Sequence, residues 1–114
     1  MLNDLERKRC ENALAAYVHR HRPPGHLRDQ VDLAFRITNL HVVLFEIRPE
    51  WKNPERTQER PFAKATFVRS KNHWRVFWLR ADLKWHRYPP DPEVDDIESF
   101  VALVERDEHH CFRG

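Results

Sequence analysis

Residues 31–48, "VDLAFRITNLHVVLFEIR", decide the fold. Val31, Leu33, Phe35 and Ile37 alternate with Asp32, Ala34, Arg36 and Thr38. That two-residue period sends one set of a strand's side chains to a core and the other toward solvent. "NLH" at 39–41 makes a short turn, and "VVLFEIR" at 42–48 is β-branched and aromatic enough to be buried on both faces at its start. Two adjacent antiparallel strands follow, and the rest of the chain is organised around them.

Toward the N-terminus the period changes to that of a helix. Asn3 and Glu6 have the spacing of a capping box, in which each side chain satisfies a free backbone N–H at the helix start. Cys10, Ala13, Leu14, Tyr17, Val18 and His21 then recur on one face. "RPPG" at 22–25 ends the helix, because proline lacks the N–H and turns the preceding residue away from helical angles.

Toward the C-terminus, "PEWKNPERTQER" at 49–60 is polar, holds two prolines and lacks alternation, and reads as a loop with Trp51 plugged into the domain. "FAKATFVRS" and "HWRVFWLRA" form a third and fourth strand around a turn at Lys71 and Asn72, and "LKWHRY" forms a fifth after a turn near Ala81 and Asp82. A second proline-rich stop, "PPDPEV", precedes a final helix. Asp95 is its expected N-cap with Glu98 as return partner, and Ile97, Phe100, Val101 and Val104 are its apolar stripe. The fold class is therefore α+β, a single domain over residues 1–114: one helix, four or five mostly antiparallel strands in one sheet, and a C-terminal helix.

At 114 residues, with seven Phe and four Trp, the chain can bury a core without staples. The charged opening "MLNDLERKRC" lacks an apolar leader core, and no run is long and apolar enough for a membrane span, so a cytoplasmic protein without membrane contact is expected. In that compartment Cys10 and Cys111 are expected as thiols. The only glycines are Gly25 and Gly114, which leaves no glycine-rich loop for phosphate or dinucleotide binding. Ser70 and Ser99 sit in no nucleophile elbow, and no CxxC or HExxH spacing occurs. His19 and His21, two apart on a helix, point to different faces, and His109, His110 and Cys111 lie together near the end of the chain. No metal and no cofactor are expected.

The charge is sharply segregated. Residues 62–88 carry seven Lys or Arg against Asp82 alone, a balance of +6, and residues 89–110 carry eight acids against Arg106, a balance of −7. The basic segment points to an anionic partner, RNA or an acidic protein surface, with Lys64, Arg69, Arg75, Lys84 and His86 as candidate contacts. The same layout would also arise if the acidic helix held its own basic sheet, with Arg36, Glu46, Lys64 and Arg75 on outward, self-paired positions.

Alternation along "LKWHRY" offers an enzymatic alternative. It puts Leu83, Trp85 and Arg87 on one face and Lys84, His86 and Tyr88 on the other. The second set would give a metal-independent ribonuclease a phosphate-binding cation, an acid–base imidazole and an orienting phenol. Asp32, Glu46, Arg48 and Lys64 loosely follow a metal-dependent nuclease pattern, but Arg48 stands where a titratable lysine is needed. A third expectation is a homodimer through an exposed sheet edge.

Taken together, "ENALAAYVHRHRPP", "DQVDLAFRI", "VVLFEIRP", "AKATFVR" and "RADLKWHRYPP" resemble a bacterial family of small single-domain proteins described only as a domain of unknown function. The resemblance spans nearly the whole chain. It implies one bacterial cytosolic domain and brings no catalytic residues with it.

Overall fold

In the computed structural model, which describes residues 1–113, the alternating stretch forms the hairpin that its period predicts. β1 (Asp32–Thr38) runs antiparallel to β2 (His41–Pro49), from Asp32 opposite Ile47 to Thr38 opposite His41. Asn39 takes the left-handed turn position at φ 54°, which asparagine tolerates better than most residues. The chain continues through β3 (Thr57–Val68), β4 (His73–Leu79), β5 (Trp85–Arg87) and β6 (Glu93–Val94). All pairings are antiparallel, in the order β1-β2-β3-β4-β5.

β6 also lies against β4, opposite Trp74 and Arg75, while β5 lies opposite Phe77 to Leu79. Between them the Tyr88 N–H donates to the Val76 carbonyl and the Val76 N–H donates to the Pro92 carbonyl, both at 2.9 Å. β5 and β6 are thus one edge strand interrupted by the prolines, which sit where their missing N–H disturbs the ladder least. The sequence reading missed β6 because those prolines read as a plain stop.

α1 (Asp4–His21) starts on the expected capping box: the Glu6 N–H donates to Asn3 Oδ1 at 2.8 Å and the Asn3 N–H to Glu6 Oε1 at 2.9 Å. α2 (Ile97–Arg106) starts one residue later than its expected cap. Asp96, not Asp95, accepts the Ser99 N–H, at 2.8 Å.

Both helices lie on one face of the sheet. The buried strand residues Leu33, Val42, Leu44, Ala63, Ala65, Phe67, Trp74 and Val76 form one core with Cys10, Leu14 and Tyr17 of α1 and Ile97, Phe100, Val101 and Val104 of α2. Phe45 is buried but stands apart from that cluster, on the opposite face. Glu46 has the same parity as Leu44 and lies opposite Leu33, so it faces the helices and not outward as the self-paired reading had it.

The polar stretch 49–60 is a shorter loop than its composition suggests, because Pro49 still belongs to β2 and Thr57 already begins β3. Only residues 50–56 form the turn, closed by Glu50 N–H to the Arg56 carbonyl at 2.9 Å and Arg56 N–H to the Asn53 carbonyl at 3.0 Å. The first residues of β3 pair with β2 alone, so they carry polar side chains. A register shift, Leu44 opposite Ala63 but Phe45 opposite Pro61, leaves Phe62 unpaired and breaks the alternation that would have announced the strand. The closed turn needs no plug, and Trp51 at its tip is 85% exposed. Among the described residues no helix is long and apolar enough to cross a membrane.

Candidate functional site

Side chains directly opposite across an antiparallel ladder share a face. The register therefore lays out the sheet surface that the helices leave uncovered. One row crosses it through Arg36, Val43, Lys64, Phe77 and Arg87, and a second through Thr38, His41, Thr66, Arg75 and Glu93. Ala34, Phe45 and Pro61 extend the surface on one side, and Leu79 and Trp85 on the other.

The result is an apolar and aromatic face carrying four cations. The Lys64 ammonium lies 5.0 Å from the Phe77 ring centre and 5.5 Å from that of Trp85. The Arg36 guanidinium lies 4.9 Å from Phe45, and that of Arg87 5.9 Å from Phe77. These distances permit attraction to the negative ring faces. Desolvation by these neighbours lowers the Lys64 pKa. Burial, and then the Lys64 charge, lowers that of His41, whose Nδ1 sits 2.8 Å from Thr66 Oγ1.

By this register the face holds three carboxylates, each engaged by a cation: Asp32, at its edge, with Arg22 at 2.7 and 2.8 Å, Glu59 with Arg36 at 2.8 and 3.1 Å, and Glu93 with Arg87 at 3.2 Å. Lys64 and Arg75 have no carboxylate partner among the described residues, and Arg75 Nε is buried without a hydrogen bond. The acidic helix leaves them free. Glu98 of α2 pairs with Arg9 of α1 at 2.7 Å, and Glu105 pairs with Arg20 and His21 of α1. These acids tie the helices to each other and not to the sheet.

Of the five candidate contacts read from sequence, the fold brings Lys64 and Arg75 together on this face. Arg69 is used elsewhere: it bonds Glu6 at 3.0 Å and the Met1 carbonyl at 2.9 Å, fastening the β3–β4 turn to the start of α1. Lys84 is exposed in the β4–β5 turn. His86 lies opposite Trp78 on the helix side, 2.9 Å from Asp82, whose carboxyl is lowered by that hydrogen bond. Tyr88 is 1% exposed with its ring 4.9 Å from Phe112, so Lys84, His86 and Tyr88 span an exposed turn, a half-buried position and the core.

Asp32 is gripped by Arg22 at 2.7 and 2.8 Å, Glu46 is held on the helix side, and Lys64 is on the other face, so the nuclease-like set does not converge. No group of three His, Cys, Asp or Glu is placed to hold a metal among the described residues. Both cysteines are free thiols, and burial pushes Cys10 up to about 11. Sequence reasoning missed Arg36, Arg87, Phe77 and Trp85 as site residues. Strand parity puts each on its face, but only the cross-strand register shows that they adjoin Lys64.

These features define an α+β module: a six-stranded antiparallel sheet backed on one side by two helices, with a cationic, aromatic face on the other. The chain belongs to the family described as Domain of unknown function (DUF3024), whose model matches residues 2–114. No curated protein and no solved structure matches it.

Proposed function

We propose that this protein is a binding module for single-stranded nucleic acid, and that the uncovered sheet face is its contact surface. The observation that carries the reading is the pair Lys64 and Arg75, without carboxylate partners, among Phe77, Trp85, Arg36 and Arg87 on a face that no helix covers. Phosphates neutralise the cations, and unstacked bases take the ring faces that the cations now occupy. A single strand suits this surface better than a duplex. The face offers rings for stacking, whereas a duplex keeps its bases stacked and is read by an element that enters a groove.

The test is binding of labelled single-stranded and duplex RNA and DNA over a salt series, with Lys64→Ala/Arg75→Ala as control. Each phosphate contact to a single strand contributes about −0.7 to the slope of log affinity against log salt. Two contacts, at Lys64 and Arg75, give a slope of roughly −1.4, and the double variant is expected to lose most of it. Failure of every nucleic acid to bind at low salt, or a double variant that binds like the wild type, overturns the reading. Binding of an acidic protein surface would then be the next use of the same cations to examine.

A further inference from the structure

At one end of the uncovered face lies a groove of about 720 Å³, within the size range of small-molecule sites. It exists because β4 stops pairing with β3 at Trp78 opposite Ala63. The earlier residues of β3 stay with β2, and the chain after Leu79 turns away into β5. Pro61, Leu79, Leu83 and Trp85 give the groove its apolar lining, and Gln58 and Arg60, which the register puts on the helix side of β3 opposite Arg48 and Glu46, border its far, polar margin.

Three features suit it to a flat, conjugated ligand with a hydrogen-bonding edge. First, Trp85 belongs both to the groove and to the ring pair beneath Lys64, so the groove continues the cationic face. Second, the Gln58 amide and the Arg60 guanidinium have no hydrogen-bond or ion-pair partner among the described residues, which leaves the amide to donate and accept and the guanidinium to donate. Third, Leu83 is 79% exposed and left-handed, at φ 62°. The turn holds it there through its own N–H to the Arg80 carbonyl at 2.8 Å and the Lys84 N–H to Asp82 Oδ1 at 2.9 Å. A leucine both strained and solvated contributes little to folding, and it serves better as a wall for a ligand.

Resting on the reading that the sheet face binds a single strand, we infer that this groove is a subsite for one unstacked nucleobase of that strand. The base lies against Trp85 and Leu83, with its polar edge toward Gln58 and Arg60, while its phosphate stays with Lys64. Glu59 also borders the groove, but Arg36 already engages it, so it does not repel the strand.

The experiment compares a single-stranded oligonucleotide of about twelve nucleotides, within the span a single-strand-binding domain covers, with its fully abasic counterpart. Both are titrated against the wild type and against Gln58→Ala/Leu83→Asn, whose positions lie outside the buried core. The wild type is expected to bind the abasic strand about tenfold more weakly. The variant is expected to lose affinity for the normal strand and to keep its affinity for the abasic one. If the wild type binds both strands equally, or if the variant weakens both or neither, the base subsite is overturned while the sheet-face reading stands. If the wild type binds neither strand, the sheet-face reading fails and the subsite falls with it.

Discussion

Glu46 shows how much one side chain can depend on distant parts of the chain. Its side chain is 17% exposed and is met by Arg48 at 3.2 Å and by Arg113 at 3.0 Å. Burial alone would raise its pKa, but the hydrogen bonds and charges of the two arginines outweigh burial and bring it below the ordinary glutamate value. A carboxylate lowered on folding adds stability that is complete above the unfolded value, about 4.3, and is lost as pH falls through the lower folded value. Glu46→Gln is therefore expected to cost roughly 1 to 2 kcal/mol at pH 7, toward the low end of a charged hydrogen bond because both arginines are a third or more exposed. The difference from the wild type should close as pH falls below about 4. Urea denaturation at neutral and acid pH checks this, and a difference of the same size at both would show that the carboxylate charge is not what matters. The sequence reading put Glu46 outward; its parity with the core residues Val42 and Leu44 turns it inward, and no local pattern names a partner 67 residues away.

At the scale of elements, local signals located helices and central strands, and tertiary context set their limits. The alternation of β1, the helical period of α1 and the stripe of α2 are imposed by the core, so they are legible in sequence. The start of β3 and the whole of β6 pair on one side only, where polar residues and prolines are tolerated, so the same rules are silent. The cap of α2 is a finer case. Asp95 and Asp96 are adjacent, and the capping-box spacing from Asp95 to Glu98 favours the first, yet Ile97 is already buried and the chain enters the helix at Asp96. Asp96→Ala should cost about 1 kcal/mol. Asp95→Ala, at an exposed position, should change stability by less than about 0.5 kcal/mol. Chemical denaturation of the two variants separates them, and equal losses would refute the assignment of the cap.

Across the whole molecule, the fold turns charge segregation along the chain into a difference between two faces. In sequence, a block of +6 precedes a block of −7, and mutual neutralisation was the simpler expectation. The register shows instead that the basic block is divided among the uncovered face, the β3–β4 turn at Arg69 and the β4–β5 turn at Lys84. Of the acidic block, Glu98 and Glu105 pair with Arg9, Arg20 and His21 of α1, while Glu93 pairs with Arg87 on the uncovered face. No composition count could separate these outcomes, because they depend on which side of the sheet α2 packs. The division makes the two charge systems separable. Arg9→Ala/Arg20→Ala removes ion pairs between half-exposed side chains and should cost no more than about 1 kcal/mol in total. It should leave the slope of nucleic-acid affinity against salt unchanged, because both arginines are on the helix side, whereas Lys64→Ala alone should reduce the slope by about 0.7. Denaturation and a salt titration on the same three proteins decide the matter. If the helix variant flattens the salt dependence as much as the sheet variant, the strand runs over the helices and the uncovered face is not the contact surface.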